Sequence, residues 1–264
     1  MDQDGEKDSA SYVYAFGRIE ARFPSLALDR EFAQVRRTAD TKGKTDQQVF
    51  HDVLSMPENR YLVRKMCWVF SVQDLETYIV VPRDPMDFRL LVETIRSERN
   101  LNDIDIVVGM RGATAAPPGL CNGLAIPIVA FDQIYSFDRN AFIKSIPKPD
   151  QVAENFESAV NEVFDRILQL TDNAGATDEH RALNYLAVRY PTIYATAAQQ
   201  FARDFSLTTV EVRISPLGSP RKVVDVVFSY TNRNSDFTEK FFSRVDVTEE
   251  FPFLVTKLSP YYDR

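Results

Sequence analysis

Cysteine and histidine are scarce in this chain, with only two of each among 264 residues. Two cysteines cannot build the disulfide framework of a small secreted protein, and their wide separation predicts reduced thiols. The first ten residues, MDQDGEKDSA, lack the apolar core of a signal peptide, and no apolar run approaches the ~18 residues that a membrane-spanning helix needs. We therefore expect a cytoplasmic protein with no membrane partner.

An excess of basic residues is also missing. Lysine and arginine total 31 against 38 aspartate and glutamate residues, which gives a formal charge of −7. A groove for nucleic acid needs a basic surface to face the phosphates, so the balance argues against nucleic acid as a partner. With 44% hydrophobic residues the chain can still bury a sizeable core.

Several catalytic and cofactor motifs are absent. The chain has no G-x-S-x-G nucleophile elbow, and Gly109, Gly112, Gly119 and Gly123 fit neither a P-loop nor a dinucleotide fingerprint. We interpret these glycines as turn residues between two strands. The pair Asp103 and Asp105 forms a D-x-D, which on a strand places both side chains on one face, expected to be wet.

The stretch from Thr177 to Phe205 is the most strongly patterned part of the chain. Apolar residues recur there at steps of three and four, as on one face of a helix. Thr177 is a good N-cap, and Pro191 interrupts the pattern, which predicts two helices or one kinked helix. The members of the apolar stripe are Leu183, Leu186, Ala187, Tyr190, Tyr194, Ala197 and Phe201.

The remaining pattern predicts an α+β protein, with antiparallel sheet, several packed helices and a C-terminal β-meander. Helices are expected after Ser25 and Thr45, after Pro57, over DPMDFRLLVETIRS and from about Asp150 to Thr171. MCWVFSV and TYIVVP predict a hairpin, and DIDIVVGMRG and LAIPIVAFDQIYSF two further strands. We expect residues 1–10 to be a disordered tail and residues 11–264 to form a single domain.

The two cysteines and two histidines are the raw inventory of a zinc site. We consider a site built from Cys67, Cys121 and His180, with His51 a weaker candidate. His180 falls in the first turn of its predicted helix, where the dipole favours the neutral imidazole that binds metal. None of the four shows C-x-x-C or H-x-x-x-H spacing, and buried cysteines often act as small apolar residues. Zinc is therefore a possible cofactor, and no other is indicated.

Two further binding features remain open. Arg111 follows a predicted buried strand in GMRG and could hold an anion or a peptide carboxylate, or simply pair with a nearby carboxylate. The edge of the C-terminal meander could accept an extended peptide as an added strand. The 19 phenylalanines and 11 tyrosines could also build a homodimer interface.

Five longer runs resemble a single family. They are similar to the C-terminal domain of unknown function of the cyanobactin maturation proteases, the patellamide-type protease/macrocyclases, and to a related copy on the pathway's N-terminal protease. The resemblance covers nearly everything from Ser11 to Arg264, and it implies a place in making ribosomal, post-translationally modified macrocyclic peptides. The runs are SYVYAFGRIEARFPSL, ENRYLVRKMCWVFSVQDLETYI, DNAGATDEHRALNYLAVRYP, VVFSYTNRNSDFTEKFF and RVDVTEEFPFLVTKLSPYYDR.

The resemblance implies no catalytic residue here, because the subtilisin-like protease lies upstream in the full-length proteins and its Asp, His and Ser motifs do not occur in this chain. Our first hypothesis is a non-catalytic accessory or scaffolding domain that self-associates as a homodimer or contacts other domains of a parent protease. The alternative is a module that recruits precursor or product peptide. A second alternative is a cryptic metal-dependent enzyme.

Overall fold

The structure is a computed structural model of the chain. It describes residues 11–39, 41–96, 100, 102–117, 119–148, 156–168, 172–216 and 220–262, without the side chains of 113–115. The predicted tail at residues 1–10 lies outside these ranges. Within them, no helix combines the length and apolar character that crossing a membrane requires.

Five strands close into a barrel in the order β1-β2-β3-β5-β4. The strands β3 and β5 pair in parallel, and every other neighbouring pair in the barrel is antiparallel. The first sheet is therefore mixed and closed, where the sequence predicted an antiparallel one. The strands are β1 (Ser11–Arg22), β2 (Cys67–Val72), β3 (Leu75–Pro82), β4 (Asp103–Ala115) and β5 (Pro127–Asp138).

Four short helices pack on the first part of the barrel: α1 (Leu26–Arg36), α2 (Asp46–Ser55), α3 (Arg60–Lys65) and α4 (Phe88–Glu93). Ser25 caps α1 by accepting the Leu28 N–H, and Thr45 forms a capping box with Gln48 at the start of α2. Apolar side chains of these helices meet the barrel interior in one buried cluster, which includes Leu28, Val53 and Trp68.

The helices α5 (Arg139–Ser145), α6 (Phe156–Leu168), α7 (Asp178–Arg189) and α8 (Thr192–Ala202) follow the barrel. Thr177 caps α7 as predicted, and the chain breaks between α7 and α8 at Tyr190 and Pro191. The predicted pair of helices is confirmed. The structure describes the predicted long helix over Phe156–Leu168, whereas α5 was not predicted.

The C-terminal meander is confirmed as a four-stranded antiparallel sheet in the order β6-β7-β8-β9. Its strands are β6 (Phe205–Ile214), β7 (Val223–Asn232), β8 (Thr238–Asp246) and β9 (Phe253–Pro260). The inward side chains of β7, such as Val226 and Phe228, join α6, α7 and α8 and the barrel strands β1 and β4 in the largest buried cluster. Barrel and sheet thus share a core through the central helices.

Polar contacts hold α7 against the barrel. Asn184 is fully buried, and its amide donates to the Tyr14 carbonyl at 2.7 Å and exchanges hydrogen bonds with Asn173. Gly175 accepts a hydrogen bond from the Tyr14 N–H at 2.9 Å. These contacts fix the segment before α7 to the middle of β1, because a buried backbone group needs a partner.

Arg181 ties α7 to the turn between β8 and β9. Its side chain is 3% exposed and donates to the carbonyls of Val247 at 2.8 Å, Glu249, and Glu250 at 3.3 Å. The guanidinium also lies over the Tyr12 ring on β1, 5.1 Å from its centroid. One buried cation therefore contacts the barrel, the helix layer and the second sheet.

A pair of carboxyl groups lies at the same junction. Arg83, after β3, donates to Asp132 on β5 and to Glu250 Oε2 at 3.1 Å. Burial, with the neighbouring Asp132 carboxyl, raises the pKa of Glu250 to about 7, against the opposing charges of Arg83 and Arg181. Hydrogen bonds with Glu250 and Arg83 outweigh burial at Asp132 and lower its pKa. Two adjacent carboxylates repel each other, which favours the protonated form of one of them.

Candidate functional site

One spacious cavity of the described part of the chain lies beside the barrel, between β1, the start of β4, the helices α1 and α2, and the segment after α4. Its volume is about 540 Å³, against about 230 Å³ and 280 Å³ for two other described cavities. Concave sites of this size, with an apolar wall and a few polar groups, are where proteins usually bind small ligands. The cavity is therefore the candidate binding site.

Asp105 contributes a buried carboxyl group to the cavity wall, and it is 5% exposed. One carboxylate oxygen accepts the Ile19 N–H at 2.8 Å, and the other accepts the Ser136 hydroxyl at 2.6 Å. Burial raises the pKa of Asp105 to about 6, although both hydrogen bonds and the charge of Arg96 act in the opposite direction. The expected wet face for both acids is wrong for Asp105, because the barrel and α-helices close over it.

Arg96 contributes buried hydrogen-bond donors that have no acceptor among the described residues. Its Nε and Nη2 atoms are buried and have no hydrogen-bond partner among the described residues. These two nitrogens form one edge of the planar guanidinium, the edge that can donate in parallel to both oxygens of a carboxylate. A buried donor without an acceptor costs on the order of 1–3 kcal/mol, so an acceptor that enters the cavity is stabilised there.

An aromatic wall faces these polar groups. Phe23, Phe32 and Phe50 line the cavity and pack on one another, with ring centroids 5.1–6.2 Å apart. Phe23 follows β1, while Phe32 and Phe50 come from α1 and α2. The wall offers an apolar surface in the same cavity as the Arg96 guanidinium. A ligand that combines a carboxylate with an apolar group fits both.

The zinc candidates do not assemble in this structure. Cys67 on β2 and Cys121 in the loop before β5 are joined in a disulfide, with their Cα atoms 5.3 Å apart. The expectation of reduced thiols is therefore wrong here: the fold brings together two residues 54 positions apart and packs them with Val69 and Ile79. A disulfide sulfur is not the thiolate that zinc binds.

The histidines lie on other elements. His180 is in the first turn of α7, where burial lowers its pKa, and its Nδ1 is buried without a hydrogen-bond partner among the described residues. His51 is on α2 and contacts Asp52 and Ser55. In the described part of the chain, no three His, Cys, Asp or Glu side chains are grouped so that they could hold a metal ion.

The proposed anion site at GMRG has a different structure from the expected one. Strand β4 continues through Arg111, so Gly109 and Gly112 lie within a strand and do not form a turn. Gly109 sits at a register shift opposite β5, where an added Cβ would lie 2.4 Å from the Ala130 carbonyl oxygen. The glycine is required by the close approach of two strands.

Sequence reasoning missed Arg96 and the aromatic wall as site residues. Arg96 is one of many arginines, and no motif surrounds it. Of the three phenylalanines, Phe50 follows helical spacing in the sequence, but such spacing predicts a core-facing stripe and not a cavity wall. The D-x-D at Asp103 and Asp105 was the one local pattern that pointed to this place.

Comparison with known proteins gives a family match over part of the chain and a shared fold over most of it. The sequence profile of the family described as PatG C-terminal matches residues 150–261, from before α6 to the end of β9. A solved structure described as "PatG Domain of Unknown Function" is similar with a TM-score of 0.76 and 20% sequence identity, over 95% of this chain and 98% of that chain. Comparison with curated proteins gives no match.

The match and the shared fold confirm the resemblance drawn from the sequence. The matched segment contains the central helices and the whole second sheet, while the barrel is covered by the structural similarity. Residues 150–261 match the PatG C-terminal family, and along nearly its whole length the chain has the fold of the PatG domain of unknown function.

Proposed function

We propose that this is a non-catalytic accessory domain that recruits a peptide by binding a carboxylate and a neighbouring apolar side chain in the cavity beside the barrel. The observation that carries the proposal is the unpartnered, buried Nε–Nη2 edge of Arg96. Carboxylates are the protein-derived groups that match this edge in charge and geometry.

Asp105, the buried acid of the cavity wall, does not serve as the acceptor for the Arg96 guanidinium. Both oxygens of Asp105 are already engaged, one by the Ile19 N–H and one by the Ser136 hydroxyl. The charge of Arg96 lowers the pKa of Asp105, but no hydrogen bond joins the two side chains among the described contacts. The Nε–Nη2 edge of Arg96 therefore lacks an acceptor among the described residues, while the nearby Asp105 carboxylate partly balances its positive charge.

A peptide suits the cavity better than a small inorganic anion. Phe23, Phe32 and Phe50 add apolar surface that phosphate or sulfate would leave empty. Burying an apolar side chain against them contributes on the order of 1.5–3 kcal/mol, which supplements a charge-assisted pair. The volume of about 540 Å³ is in the range that holds a drug-sized ligand or a short peptide end.

The test is calorimetric titration of the protein with acetyl-Gly-Ala-Gly-Phe carrying a free carboxylate, and with the same peptide as its amide. We expect the acid to bind and the amide to bind far more weakly. Arg96→Gln should weaken binding of the acid by roughly tenfold to a hundredfold, as the loss of a hydrogen bond to a charged group predicts.

Arg30→Gln is the matched control, because Arg30 is an exposed arginine of α1 that does not line the cavity. Its affinity for the acid should equal that of the unmodified protein. Equal affinities for acid and amide, or unchanged binding by the Arg96→Gln protein, would contradict the proposal.

Self-association is a second candidate function, favoured by an exposed apolar patch at the edge of the second sheet. Phe251, Phe253 and Val255 are 50%, 45% and 49% exposed along the turn before β9 and β9 itself. Contiguous apolar surface of this kind often marks an interface. We propose a homodimer through this patch, which would place two cavities in one assembly.

A further inference from the structure

A second concave surface, separate from the cavity beside the barrel, lies on the helix layer. It runs between the end of α2, α3 and the segment from Pro85 into α4, and it has a volume of about 280 Å³. We name it the basic groove. Its floor is formed by Leu54 and Val63, which are 1% and 2% exposed, and its rim includes Met86, which is 67% exposed.

The charge of the groove is opposite to that of the whole chain. Arg60, Arg64 and Arg89 line it, and Glu93 is the one acidic residue among its described lining residues. Arg60 and Arg64 are four positions apart on α3, so they project from the same side of the helix. The protein as a whole carries a charge of −7, which makes this local basic surface distinctive.

The described ion pairs do not neutralise these arginines. Arg60 and Arg64 have no carboxylate within 4.0 Å among the described residues, and Arg89 has one contact, with Asp87 at 4.0 Å. The three side chains are exposed, so they keep their charge at low cost in water. Acidic groups of a partner can approach them without displacing an internal partner.

We propose that the basic groove docks an acidic, amphipathic segment of a partner protein. An apolar side chain of that segment enters between Met86 and the floor at Leu54 and Val63, and its carboxylates pair with the rim arginines. The combination of an apolar floor and charged rim is typical of grooves that bind one face of a helix. Charge complementarity selects an acidic segment over a basic one.

The shape of the groove favours a peptide over an anionic membrane surface. Its apolar groups lie at the bottom of a concavity, where a side chain can reach but the plane of lipid headgroups cannot. Membrane-binding surfaces usually project apolar side chains outward beside the basic ones. Here Met86 is the large apolar side chain of the lining set that is exposed, whereas Leu54 and Val63 are recessed.

The test is fluorescence anisotropy with a labelled peptide of about 18 residues that places leucine on one helical face and glutamate on the other. A scrambled peptide of the same composition controls for charge alone. We expect the amphipathic peptide to bind more tightly than the scrambled one. Combined Arg60→Glu and Arg64→Glu should weaken its binding roughly tenfold or more, because two charge pairs become repulsive.

Combined Lys144→Glu and Lys257→Glu is the matched control. It changes the net charge equally, at exposed lysines of α5 and β9 outside the groove. Its affinity should change less than twofold at physiological salt, since screening limits distant charges. Met86→Asp, a change at an exposed rim residue, should weaken binding without unfolding the protein.

Three outcomes would overturn the proposal: no binding of the amphipathic peptide, equal losses in the groove variant and in the lysine control, or binding to phosphatidylglycerol vesicles in preference to the peptide. Circular dichroism of each variant establishes that the protein is folded before its affinity is compared.

Discussion

Gly175 lies in the segment before α7 and is packed directly against the barrel strand β1. Its φ is +69°, and a Cβ added there would lie 2.4 Å from the Tyr14 carbonyl oxygen and 2.6 Å from the Ala15 Cα. This position therefore requires a residue that adopts the left-handed conformation and has no side chain, which is glycine. Any other residue has to push β1 away from the helix layer.

Gly175→Ala should lower the free energy of unfolding by roughly 3 kcal/mol or more, because a backbone clash adds to the cost of the left-handed conformation. Gly43→Ala is the matched control: its φ is +72°, but nothing lies within 4 Å of the added Cβ. There we expect a loss of about 1–2 kcal/mol. Urea unfolding of both variants measures the difference, and similar losses would contradict the close-approach argument.

Individual site residues were the hardest to predict from the sequence. Asp105 looks like any strand aspartate, and it becomes buried only when β1 and β5 flank it and present the Ile19 N–H and the Ser136 hydroxyl. Cys67 and Cys121 meet for the same reason, since their strands and loops converge across 54 positions. The spacing of residues along the chain does not predict contacts between residues that are distant in sequence.

At the scale of elements, β9 is an edge strand that is badly shaped for adding another strand. Its pairing with β8 shifts register twice, and the Leu258 N–H donates to the Tyr190 hydroxyl at 2.9 Å. Bulges and occupied edge groups hinder main-chain pairing. If the protein dimerises through this edge, side chains such as Val255 must provide the contact.

Val255→Lys should therefore weaken self-association, by about tenfold or more in the dimer dissociation constant, because a charge replaces an apolar group in the contact. Ile214→Lys is the control, at a 70% exposed position on β6, the opposite edge strand. Sedimentation velocity over a range of protein concentrations compares the variants. A protein that stays monomeric at all concentrations, or an equal effect of both substitutions, would exclude an interface at β9.

The elements themselves were largely predictable, because their ends are marked by local chemistry. Ser25, Thr45 and Thr177 each accept a backbone N–H at the start of the predicted helix. The turn between β2 and β3 uses Gln73 and Asp74 with positive φ, as a tight hairpin requires. The helix α5 was not predicted because its cap, Asp138, is also the last residue of β5, so the strand-like run continues directly into the helix.

At the scale of the whole molecule, the barrel and the second sheet meet through titratable groups. Glu250 faces Asp132 and Arg83 from the barrel side and Arg181 from α7. Its pKa is raised from 4.5 to about 7, so the folded protein binds a proton more readily than the unfolded chain does. Stability from this group is present at low pH and is lost as the pH rises through about 7.

We expect Glu250→Gln to flatten the decline in stability between about pH 5 and about pH 8, since the substituted amide cannot ionise. Glu58→Gln, at an exposed position after α2, should leave the decline as it is in the unmodified protein. Urea midpoints across this pH range provide the measurement. An unchanged pH profile for Glu250→Gln would mean that the junction carboxyl does not titrate in the folded state.

The closure of the barrel could not be predicted from the chain. Its strands were identified one by one, but the parallel pairing of β3 with β5 depends on a connection that passes through α4 and β4. Local periodicity predicts which face of a strand is buried, but it does not predict which strand lies beside it. Packing of the second sheet was easier to foresee, because consecutive strands in a meander pair with their neighbours.

The bond between Cys67 and Cys121 attaches the loop before β5 to the outside of β2. A protein purified with a strong reductant and one purified in air therefore differ in chain connectivity, although they share every residue. The two preparations should be treated as separate samples, and the oxidation state of both sulfurs established by mass, before their binding or assembly is compared.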